Sequence, residues 1–136
     1  MEIDYGTENN NNSKECIVQF IADNVNKNRL IFIYGNYILP SEYQHVKFDN
    51  ITNALHALSA NTYSLIIVDN KVVDNFFMSE VLKKTNIVLT FNYKNEIPVN
   101  FICVDIKINN DTANLITCDP YISNLVLNNF TCSFIR

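Results

Sequence analysis

The stretch NTYSLIIVDN, residues 61–70, decides the fold class. Ser64 to Val68 is an unbroken run of apolar or small side chains that ends on one acid, Asp69. An apolar run without alternation reads as a strand buried on both faces, as in a parallel sheet covered by helices. Its neighbours support this. Upstream, DNITNALHALSAN places Ile51, Ala54, Leu55 and Leu58 at i, i+3, i+4 and i+7, a helix with Asp49 or Asn50 as its N-cap. Downstream, NKVVDNFFMSEVLKKT places Val73, Phe76, Phe77 and Val81 on one helical face, with Lys83 and Lys84 in the last turn. NIVLTF, residues 86–91, is a second buried strand.

Further out, CIVQFIAD, residues 16–23, reads as a buried strand ending on Asp23. The segment NVNKNRLIFIYGNYILP is strand-like by propensity, yet has the length of a helix; Pro40 ends it. QHVKF, residues 44–48, is a short strand. FICVDIKI, residues 101–108, starts buried and then alternates. NND at 109–111 is a turn, and TANLITCD is the candidate antiparallel partner. The last stretch, YISNLVLNNFTCSFIR, is helical first and extended at its end.

Strands alternating with helices predict an α/β fold. The expected form is a three-layer α/β/α sandwich with a mostly parallel five-stranded sheet, with an antiparallel strand added toward the C-terminus. Residues 64–69 are expected at the centre, flanked by 16–22 and 86–91. Residues 1–13, ending in an asparagine run, read as a flexible tail, and residues 14–136 as a single domain.

Composition narrows the function. At 136 residues, 48% apolar and 18% charged, the chain is globular rather than disordered. Ten basic residues are scattered against fourteen acidic ones, which argues against a nucleic-acid surface. No apolar run reaches the roughly 20 residues that span a bilayer, and the polar N-terminus resembles no signal or transit peptide, so the expectation is a cytoplasmic protein without membrane contact. Cys16, Cys103, Cys118 and Cys132 lie far apart in apolar contexts; they read as buried, reduced thiols rather than as zinc ligands. The asparagine abundance fits an AT-rich genome. Only Gly6 and Gly35 are glycines, so the phosphate-cradling loops of dinucleotide-binding and P-loop enzymes are excluded. His45 and His56 form no acid–base–nucleophile spacing and read as non-catalytic.

What remains is the set of strand ends. Ligands of open parallel sheets collect at the carboxyl ends of the strands. Asp23, Asp69 and Thr90 all fall there on this reading, and two carboxylates brought together need a cation between them, Mg²⁺ being the natural one.

The pattern resembles the receiver domains of bacterial response regulators. IVQFIADN is similar to the family's first strand with its acidic pair, Ala22 replacing one acid, Asp23 keeping the other, and Asn24 following. EYQHVKFDNITNALHALSANTYSLIIVD is similar to the second strand, second helix and third strand, which puts Asp69 at the phospho-acceptor position. NIVLTF puts Thr90 at the switch hydroxyl, and Lys107 is the candidate for the conserved-type lysine. The resemblance spans roughly residues 16–108. It departs at Ala22, in the DNKVVDNFF loop after the acceptor, and in the lack of a proline after Lys107. The implied protein is a degenerate receiver: an acidic pocket of Asp23 and Asp69, a weak Mg²⁺ site on those two residues, no required cofactor, and no catalysis. Its expected function is phosphate-independent signalling through a protein partner. The alternative is a viral or accessory assembly protein that uses the scaffold for contacts, with the apolar C-terminal run as a homodimer interface.

Overall fold

The computed structural model describes residues 5–25, 30–69, 73–91, 93, 95–108, 111–130 and 132–135. In chain order these form α1 (Tyr5–Val25), β1 (Ile31–Gly35), β2 (His45–Phe48), α2 (Ile51–Ala60), β3 (Leu65–Asp69), α3 (Asn75–Leu82), β4 (Ile87–Phe91), β5 (Ile102–Ile108), β6 (Asp111–Thr117), α4 (Pro120–Asn129) and β7 (Cys132–Ile135). The strands make one sheet in the order β2-β1-β3-β4-β6-β5-β7. The β2-β1-β3-β4 half is parallel. From β4 outward every pair is antiparallel. The sheet is therefore seven-stranded and mixed, not five-stranded and mostly parallel.

Residues 16–23 are helix, not strand. Ile17, Val18, Ile21, Ala22 and Val25 are buried, while Asp23 is exposed. That spacing lines one face of a helix, and a helix satisfies its own backbone while burying only that face. The β-branched residues at 17 and 18 fit either state, so burial on one side decides. α1 also takes in residues of the segment read as a tail. The strand expected from residues 16–22 is supplied instead by β1, whose five residues are all buried. β3 is central as expected, between β1 and β4.

α1 and α4 cover one face of the sheet over Ile31, Ile33, Leu65, Ile67, Leu89, Val104 and Leu115. α2 and α3 cover the other face of the parallel half, over Phe32, Ile66, Val68 and Val88. α2 is capped by Asn50, whose side-chain oxygen accepts from the Asn53 N–H at 3.1 Å. α3 starts later than expected, at Asn75. The Asp74 carboxylate caps it by accepting from the Phe77 N–H at 2.9 Å, and Val73 packs in the same cluster as Met78 in a hydrophobic staple. The buried side of α3 is Phe77, Met78 and Val81; Phe76, expected inward, is 62% exposed. On β5 and β6 the α2/α3 side carries Asp105, Lys107 and Asn114 among its residues, which explains the alternation in the sequence. Among the described residues no helix is long and apolar enough to cross a membrane.

Candidate functional site

Strand order reverses between β1 and β3. The β1–β2 connection runs over the α1 side, where Tyr37 and Leu39 are buried, and α2 returns the chain on the other side. The carboxyl ends of β1 and β3 thus form the switch point at which open α/β sheets bind ligands. Gly35 is paired there with Asp69. The Asn36 N–H donates to the Asp69 carbonyl at 3.4 Å, which draws the two strands together beyond the end of the ladder. Beside them lies Tyr37. Burial, and then the negative charges of Glu15 and Asp69, push its phenol up to about 12.

The other expected members of the site lie elsewhere. Asp23 is on α1, where its carboxylate accepts a 2.5 Å hydrogen bond from the Tyr43 hydroxyl. Tyr43 precedes His45, which is in register with Ile31, and Ile31 with Leu65. Asp23 therefore sits at the edge where β3 begins and Asp69 where it ends. Four residue steps along a strand separate those edges by about 13 Å. One cation cannot bridge these two carboxylates. Ala22, expected in the metal pocket, is fully buried in the helix face, and the Asn24 side chain donates to the Phe20 carbonyl at 2.8 Å. Among the described residues no group of three His, Cys, Asp or Glu side chains is placed to hold a metal.

Thr90 pairs with Val68 and so projects to the α2/α3 side, whereas Asp69, one residue on, projects to the α1 side. Thr90 is 1% exposed and donates its hydroxyl to Asn114 Oδ1 at 3.3 Å. Asn114 Nδ2 donates to Asp105 Oδ1 at 2.5 Å, and Cys103 Sγ donates to the same oxygen at 3.7 Å. This chain of bonds satisfies polar groups beneath the sheet surface and leaves Thr90 no freedom to turn toward Asp69. Lys107 is exposed on β5, with β4 and β6 between it and β3. Three strand spacings amount to about 14 Å, beyond a lysine's reach to Asp69.

The carboxyl edge carries apolar surface instead. Ile38, three residues past β1, is 76% exposed; Ile51, at the start of α2, is 38% exposed; Phe76, in the first turn of α3, is 62% exposed. α2 and α3 both begin at this edge and pack side by side. Their N-termini, which would otherwise attract an anion, are occupied by Asn50 and by the negatively charged Asp74. No signal marked Ile51 and Phe76 as exposed, because each falls on the apolar stripe of its helix.

A second concavity lies at the opposite edge. A groove of about 730 Å³ runs between Asn24, Tyr63, Lys84, Phe101, Asp119 and Tyr121. Its charges are partly committed: Asp119 accepts from the Tyr121 N–H at 2.9 Å, and neighbouring Lys83 pairs with Glu80 at 2.9 Å. His45 lies with Nδ1 2.6 Å from the Tyr43 carbonyl, and His56 is on the exposed side of α2. All four cysteines are free thiols; Cys103 is buried and Cys132 partly so, but Cys16 and Cys118 are exposed, contrary to expectation. No protein-family model, curated protein or solved structure matches the chain.

Proposed function

We propose that the chain is a non-catalytic protein-interaction module that docks a protein partner on the carboxyl edge of its parallel half-sheet. The observation that carries this is the exposure of Ile38, Ile51 and Phe76, each of which follows in the chain the carboxyl end of one of the strands β1, β2 and β3. Apolar and aromatic side chains of this kind anchor protein interfaces, and scattered polar groups do not make a reaction centre. Of the receiver pattern, the reading keeps the β2-β1-β3-β4 order and an acid at the end of β3. Charge supports phosphate independence. Asp69, Glu15 and Asp74 lie around that edge, and Thr90 and Lys107 are turned or held away from it.

Two measurements test it. Incubation with acetyl phosphate and Mg²⁺ should leave the intact mass unchanged; a gain of one phosphoryl group, abolished in Asp69→Asn, overturns phosphate independence. A photo-crosslinking phenylalanine analogue at position 76 should give partner adducts in extracts, lost when Ile51→Glu is added. Adducts equally abundant with the analogue at Val99, which is exposed outside this edge, overturn the docking assignment.

A further inference from the structure

We draw no further inference here: the strongest candidate, the groove at the amino ends of β3 and β4 lined by Asn24, Tyr63, Lys84, Phe101, Asp119 and Tyr121, carries nothing, because the chain passes from its lining residue Val25 into residues 26–29, which include Lys27 and Arg29 and lie outside the described residues, so that its charge selects no ligand and nothing in the structure shows what fills it.

Discussion

Gly35 and Asp69 face each other at the ends of β1 and β3 with no room for a side chain at residue 35: a Cβ there would overlap the Asp69 carbonyl group. Gly35 also holds φ at +119°, a conformation that L side chains rarely adopt. Gly35→Ala should therefore cost more than backbone strain alone, which is about 1–3 kcal/mol for such a conformation, because the strands must also part. Urea denaturation checks this. A midpoint equal to that of the parent protein would show that the strand ends can separate freely.

Ile67 is fully buried in the middle of the central strand, on the side covered by α1 and α4. Ile67→Asp should abolish folding. An unpaired carboxylate there costs several kcal/mol, set against a total stability of roughly 5–15 kcal/mol for a domain. A soluble variant with the parent's melting temperature would contradict the central placement of β3.

Two tyrosines make stability fall at alkaline pH. The hydrogen bond to Asp23 is the first cause that pushes the Tyr43 phenol from 10.0 up to about 12, and burial is the first for Tyr37, which rises to the same value. Both pKa values are higher folded than unfolded, so the unfolded chain loses these protons first. Their contribution is whole below about pH 10 and disappears as pH rises to about 12. Tyr43→Phe should lower stability at neutral pH, modestly because Asp23 is exposed, and should flatten the loss between those limits. Equilibrium unfolding at a series of pH values reads both effects; parallel curves for parent and variant would remove Tyr43 from the account.

Thiol reactivity should divide the cysteines. Cys16 and Cys118 are exposed, whereas Cys103 is 5% exposed, and its thiol is pushed up to about 12, by burial first and the Asp105 charge second. Because the thiolate is the reactive form, Cys103 should resist a disulfide reagent in the native protein and react on unfolding. Mass spectrometry of the labelled chain locates the adducts; rapid native labelling of Cys103 would mean that the strand around it opens.

The polar network should bind the two halves of the sheet. Asn114→Leu removes at once the acceptor of the Thr90 hydroxyl and the amide donor to Asp105, which keeps only the weak donor Cys103 among the bonds described above. A loss of roughly 1–3 kcal/mol is expected for stranding a buried polar group. Adding Thr90→Val should recover part of it, since a methyl group needs no partner. If the double variant is no more stable than Asn114→Leu, the Thr90 hydroxyl contributes nothing through this bond.

Local chemistry alone was enough for much of the fold. The apolar runs at 65–68 and 87–91 read as buried strands and the spacing in 51–58 as a helix, and each took that form; β5 and β6 pair antiparallel, while residues 109 and 110 of the expected turn lie outside the described residues and Asp111 is the first residue of β6. At 16–23 the same kind of evidence misled, because a short β-branched run is compatible with both states. Its state depends on whether one face or two are covered, and that is settled by the packing of Ile17, Ile21 and Val25 onto the sheet. Strand order is of the same kind. Nothing within β1 states that β2 and β3 will flank it, or that β6 rather than β5 will lie beside β4. Asp69 was legible as the end of a strand, but its company was not. The separation of Asp23 from Asp69, and the turn of Thr90 to the opposite face, follow from helix direction and strand register, which are properties of the assembled layers and of no single segment.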